Sequence, residues 1–266
     1  MTSDNGYFLY YDSSVISDPS TLEGIIADCE AADKNFYYSY ASWYLESFFF
    51  GTDCTIEYET DSEGNFTAAN IDIANDQGVV ALNEMIELAS SSNFQWDYDN
   101  ADACVNAAAI VSGTWDSATV QQLFGDNYAC AKLPTFTGSD GETYQLSGFG
   151  GYKLLGIKPQ TEAGKLAVCY MLAQYLTDYD MQMERFTAQG WGPSNLEAQA
   201  SEEVQADPAL AALAEQLAYC IPQGQYSTNY WDIMNALGSD AASGAVGDDV
   251  LGYLESVQAD LIADIE

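Results

Sequence analysis

An α/β fold with an α-rich C-terminal half is what this sequence predicts, on three observations. As far as Thr177, short apolar and aromatic runs bounded by turn formers alternate with segments of helical period. Beyond Thr177 the pattern is helical almost throughout. Finally, 48% apolar and 13% aromatic content over 266 residues is enough to bury a core, even at a formal charge of −35.

Residues 6–12, "GYFLYYD", read as a strand, and "SDPSTLEGIIADCEAADK" as a helix with Ser20 and Glu23 at capping-box spacing. "NFYYSYASWYLESFFFG" (35–51) gives a strand leading into a short helix. "DCTIEYETDSEGNFTAANIDIAND" alternates and turns at Asp61-Ser62-Glu63-Gly64, a surface hairpin. From Asn75, Val79, Leu82, Ile86 and Ala89 form one apolar helical stripe. A helical turn, a buried strand over 107–111, a Gly-Thr-Trp corner and another helix follow.

"YACAKLPTFTG" reads as a strand ending at a proline, and "SDGETYQLSGFGGYKLLGI" as a Gly-rich connection into a strand. "TEAGKLAVCYMLAQYLTD" sets Leu166, Cys169, Ala173 and Leu176 at helical spacing. Helical segments are expected over 177–188, 207–219, 226–237 and 247–263, the last with a stripe of Val250, Leu254, Val257 and Leu261. In "QGWGPSN", Gly190 is placed to stop a helix and Pro193 to set the start of the next element.

Composition excludes several functions. With 6 basic against 41 acidic residues, a polyanion is repelled, so no nucleic-acid partner is expected. Histidine is absent, which removes the usual general base, nucleophile activator and metal ligand. The six cysteines are widely spaced without a CxxC pair, the pattern of free structural thiols. Neither a metal nor a cofactor is expected. "DSEGN" and "SDGE" lack the full calcium-loop pattern and read as turns; "SGFGG" precedes a strand and lacks a P-loop lysine. Paired acids such as Glu202-Glu203 read as solvated surface. Neither an 18-residue apolar run nor a basic-then-apolar leader is seen, so the chain reads as soluble and without an export signal.

The placement of the aromatics is more informative. Trp43 and Tyr44, Trp115, Trp191 and Tyr230-Trp231 fall at element boundaries, beside amides and carboxylates. Flat rings in such places suit a ligand with an apolar face and a hydroxyl rim, the surface of a sugar; the competing reading makes the same rings core filler.

The ordered run of "SGTW", "AKLPTFTGSDGETYQLSGFGGYKLLGI", "TEAGKLAVCYMLAQYLTD", "QGWGPSNLEAQASEEVQADP" and "STNYWDIMNAL" resembles the extracellular solute-binding proteins of the maltose-binding type, the receptors of carbohydrate ABC transporters. The resemblance implies a periplasmic-binding-protein-like type II α/β fold, represented mainly by its C-terminal lobe. In it, 6–147 and 203–266 would form that lobe and 148–202 would return to an incomplete N-terminal lobe. Roughly the first hundred residues of such proteins would lack a counterpart, as in a truncated form.

The same resemblance puts Trp115 at the family's "G-x-W" position, with Thr114 in place of the usual proline, and Trp231 at its late aromatic-Trp position. Tyr230 precedes that Trp, and the block Tyr40, Trp43, Tyr44 falls near another stacking tyrosine. With Trp191 these make the expected ligand-binding set. The implied function is capture of an oligosaccharide such as a maltooligosaccharide for ABC transporter permease subunits, outside the cytoplasmic membrane, without enzymatic turnover. Two rivals are an acidic module that self-associates through an exposed lobe face, and a glycosidase, which would need two carboxyls opposed across a cleft.

Overall fold

The structure is a computed structural model in which residues 1–263 and 265 are described, Ser42 by its backbone alone. The strands are β1 (Ser3–Asn5), β2 (Phe8–Asp12), β3 (Asn35–Tyr37), β4 (Thr55–Thr60), β5 (Phe66–Asp72), β6 (Phe94–Gln95), β7 (Ala107–Ser112), β8 (Tyr128–Ala131), β9 (Thr135–Thr137), β10 (Thr143–Gln145), β11 (Phe149–Lys153) and β12 (Ile221–Pro222). The helices are α1 (Leu22–Ala32), α2 (Glu46–Gly51), α3 (Asp76–Ala89), α4 (Ser117–Phe124), α5 (Ala163–Leu176), α6 (Tyr179–Gln189), α7 (Leu196–Gln199), α8 (Glu202–Gln205), α9 (Pro208–Leu217), α10 (Thr228–Ser243) and α11 (Val250–Ala263). Short 3-10 turns include Ser42–Tyr44 and Thr114–Asp116.

A five-stranded mixed sheet in the order β6-β3-β7-β2-β8 forms the centre, with β2 antiparallel to both neighbours and β3 parallel to both. Its middle strands read as near-continuous apolar runs because both faces are covered: Phe8, Leu9 and Tyr10 are buried in succession, as are Ala108 to Val111. One face carries the large core with Leu9, Phe36, Tyr38, Phe48 and Val111. The other carries Phe8, Tyr10 and Ile110 against Val120, Phe124 and Leu213 from α4 and α9. A second, three-stranded sheet, β1-β11-β12, and two hairpins, β4-β5 and β9-β10, complete the strands. All six cysteines are free thiols. No helix among the described residues is long and apolar enough to cross a membrane.

Two local readings need correction. The first helix is capped by Thr21, whose hydroxyl accepts the Gly24 amide at 3.1 Å, while Glu23 accepts the Thr137 amide and ties α1 to β9. Ser20 therefore closes no capping box. In α3 the buried apolar side chains are Val80, Ala81, Leu82, Met85 and Leu88, with Glu84 buried among them, whereas Val79, Ile86 and Ala89 are only half-buried. The helix is packed by α2, α10 and α11, so its contact face is wider than, and rotated from, the expected stripe. The last helix buries Leu254, Val257 and Leu261 as its stripe predicts. Gly190 takes the left-handed conformation (φ 71°) that ends α6, and Asn195 caps α7 two residues after Pro193.

Candidate functional site

Three chain segments assemble an aromatic face. The first is the turn Ser42–Tyr44, fixed from below by buried Tyr7, whose ring lies 5.0 Å from that of Trp43 and 4.9 Å from that of Tyr44. The second is the corner after β7. There Tyr10 donates to the Gly113 carbonyl at 2.9 Å and Ser112 donates to the Asp116 carboxylate at 2.6 Å, holding the turn that carries Trp115. Burial raises the pKa of Asp116, and the Ser112 hydrogen bond opposes the shift. The Trp115 ring folds back over Gly113, where any Cβ would collide with it, so the glycine in "SGTW" is a steric requirement of the indole's position. The third segment is the start of α10, where Trp231 packs on Tyr230 at 4.8 Å and Tyr226 at 5.5 Å.

Trp43 and Trp115 lie 5.9 Å apart at 47°, both half-buried. The Trp43 indole N–H donates to the exposed Gln223 side chain at 2.9 Å, and α10 packs against the Trp43 turn. Beyond Trp115 the row continues through Lys153, whose ammonium is 5.3 Å from the Trp115 ring and 4.0 Å from the Trp191 ring. Burial lowers the Lys153 pKa. Two indole faces thus flank this cation.

The structure therefore brings Trp43, Tyr44, Trp115 and Trp191 into one connected row, with Trp231 on the helix that packs against the Trp43 turn. It corrects two of the expected positions. Tyr40 is 1% exposed, with its hydroxyl donating to the Met85 carbonyl, and Tyr230 is 0% exposed, with its hydroxyl donating to Glu46. Neither ring offers a free face, because Tyr40 packs against Phe48 and Phe94 and Tyr230 against Tyr226 and Trp231. Sequence reasoning missed Lys153, Gln223 and the supporting Tyr7 and Tyr226. Lys153 had a usable signal, as one of six basic residues, two places after a glycine-rich run.

A concavity of about 340 Å³ opens beside Pro193, lined by Asp4, Tyr152, Val204, Leu210 and Leu217; Trp43, Trp115 and Trp231 are not in its wall. The aromatic face is instead an open platform of half-buried rings with an amide and an ammonium at its margin. Such a surface stacks on a flat apolar ligand face and hydrogen-bonds its rim. Among the described residues no group of three or more His, Cys, Asp or Glu side chains is placed to hold a metal ion.

The family model of the bacterial extracellular solute-binding proteins matches residues 1–212, and the chain belongs to that family. Its fold is that of maltose- and maltodextrin-binding proteins. The maltodextrin-binding protein MalE1 of L. casei BL23, solved without ligand, superposes with a TM-score of 0.81 at 19% identity, over 97% of this chain and 69% of that one. The maltose–maltodextrin-binding protein of Alicyclobacillus acidocaldarius matches with a TM-score of 0.74 at 21% identity, over 99% and 70%. Maltose-bound T. maritima MalE3 gives 0.74 at 15% identity, over 98% and 71%. No curated protein matches the chain by sequence.

Proposed function

We propose that the chain captures a carbohydrate of the maltooligosaccharide kind as the binding component of an ABC importer, on the outer side of the cytoplasmic membrane. The sugar stacks on Trp43, Trp115 and Trp231, with Tyr44 behind and Trp191 at the edge. The observation that carries this reading is the pair of half-buried indoles 5.9 Å apart, bordered by the Gln223 amide and the Lys153 ammonium. Relatives of the same fold are named for maltose and maltodextrin, and one was solved bound to maltose. Isothermal calorimetry with maltotriose tests it. Binding is expected in the wild type and a loss of about tenfold or more in Trp115→Ala, since stacking on one aromatic ring is worth on the order of 1.5 kcal/mol. No heat with maltotriose or any other glycan would end the sugar reading.

We further propose that 6–147 and 203–266 act as one lobe and that 148–202 contributes to a second. The support is α5, which is apolar on every side and has no buried residue. Hydrogen exchange is the check: α5 amides are expected to exchange far faster than those of α11. The exposed side chains of α5 also favour a second reading, self-association through that face. Light scattering that stays monomeric up to high concentration and high salt would remove it.

A further inference from the structure

Glu46 is an anomaly in a chain whose other acids mostly face water. It opens α2 with a side chain 0% exposed. Its Oε1 accepts the Tyr230 hydroxyl at 2.8 Å across 184 residues of sequence, while Oε2 is buried without a hydrogen-bond partner. The contact joins two platform segments, because Glu46 follows the Trp43 turn and Tyr230 precedes Trp231.

The groups that face Glu46 are phenols: Tyr7 ahead of β2, Tyr38 beyond β3, Tyr226 before α10, and Tyr230 itself. Cys220, after α9, acts on Tyr7 and Tyr38, and Glu84, on the helix packed against α2, acts on the Tyr40 hydroxyl. Neither a cation nor a second carboxylate contributes to the state of Glu46, which burial pushes up to about 8, against the opposing hydrogen bond from Tyr230. A neutral carboxylic acid is tolerated in such a place. A carboxylate there has one phenol and its own backbone amide to stabilise it against burial, and must draw in water or displace its neighbours.

We propose that Glu46 is a positioning residue of the aromatic face: through Tyr230 it fixes the Trp43 turn against the Trp231 helix, and its ionisation loosens that junction. The consequence for ligand rests on the sugar-binding reading above, whereas the consequence for the indoles does not. Tryptophan emission of the ligand-free protein, followed from pH 6 to 9.5, should shift with a midpoint near 8 in the wild type. In Glu46→Gln, which keeps the size and an acceptor but cannot ionise, the emission should stay flat at its pH 6 value. Tyr230→Phe removes the bond that favours the charged form, so its midpoint should move upward.

Calorimetry with maltotriose then reads the ligand side. Wild-type affinity should fall about tenfold between pH 7 and 9.5, and that of Glu46→Gln less than about twofold. A flat wild-type emission curve, an unchanged alkaline midpoint in Glu46→Gln, or a midpoint in Tyr230→Phe that fails to rise would each overturn the proposal. Absence of maltotriose binding at every pH would overturn the sugar reading and leave the emission curves to decide on Glu46.

Discussion

Helices α5 and α11 are each 14 residues long and rich in apolar side chains, yet they meet opposite fates. In α11, Leu254 and Leu261 are fully buried and Val257 nearly so, packed by α3, α10 and β5. In α5 no residue is buried, and Val168, Met171, Leu172 and Tyr175 are between 55% and 69% exposed. The difference lies in what surrounds the apolar residues. Glu255, Gln258, Asp260 and their neighbours confine α11 to one stripe, whereas α5 carries a single charge, Lys165, and marks no face as polar. A helix apolar all round is built for burial on more than one side. The stripe Leu166, Cys169, Ala173 and Leu176 reaches half-burial, and the opposite side of the helix stays open. Apolar content announces a demand for burial, and only packing shows whether these residues meet it.

The strongest way to break this contrast is to hollow α11. Leu254→Ala should lower the stability measured by urea denaturation by about 3 kcal/mol, the usual cost of a lost core leucine plus its cavity. A cost below about 1 kcal/mol would mean that α11 is no better anchored than α5.

The buried acids sharpen the contrast through pH. Glu46 is pushed up to about 8, and Asp4 and Glu84 to about 7, each first by burial. An acid whose folded pKa exceeds its unfolded one takes up a proton on folding. Its favourable contribution is therefore complete below the ordinary carboxyl range, near pH 4 to 4.5, and is lost as pH rises through the folded value. The urea midpoint should accordingly be higher at pH 5 than at pH 8.5. The drop should be smaller in Glu46→Gln, which removes one of these contributions. A midpoint that rises over this range would contradict the burial of these carboxyls.

A smaller effect comes from the helix start that the sequence pattern misassigned. Thr21→Ala should cost about 1 kcal/mol and Ser20→Ala nearly nothing, because the cap hydrogen bond belongs to Thr21. Equal costs from denaturation curves would reinstate the capping box.

Much of the fold was legible because period and punctuation agree: the hairpin around Asp61–Gly64, the buried run over 107–111, the α11 stripe and the Gly190 stop all follow from local rules. The errors have physical sources. Ser20 and Thr21 are chemically equivalent caps one residue apart, and backbone geometry alone decides between them. The face of α3 was misjudged because three helices pack on it, so no single stripe describes its burial. At the site, boundary placement pointed to Trp43, Trp115, Trp191 and Trp231, which stay half-exposed, but it could not separate them from Tyr230, and the family resemblance that added Tyr40 could not see its burial. In short segments a one-residue step turns a ring from platform to core. The Glu46–Tyr230 bond was illegible, since 184 residues separate its partners and nothing local marks Glu46 among 41 acids as one of the few that are buried.

The smallest expected effect tests the open side of α5 directly. Met171→Gln with Tyr175→Gln replaces two exposed apolar side chains by polar ones of good helix propensity. Since neither side chain is buried, stability should stay within about 0.5 kcal/mol of the wild type. Solution behaviour should change more. At −35 the chains repel one another, so any association through this apolar face is opposed by charge and strengthened by salt. Light scattering in 0.5 M sodium chloride should then give a lower average mass for the double variant than for the wild type. A stability loss well above 1 kcal/mol would instead mean that Met171 and Tyr175 are packed by this chain's own residues, and the distinction between α5 and α11 would collapse.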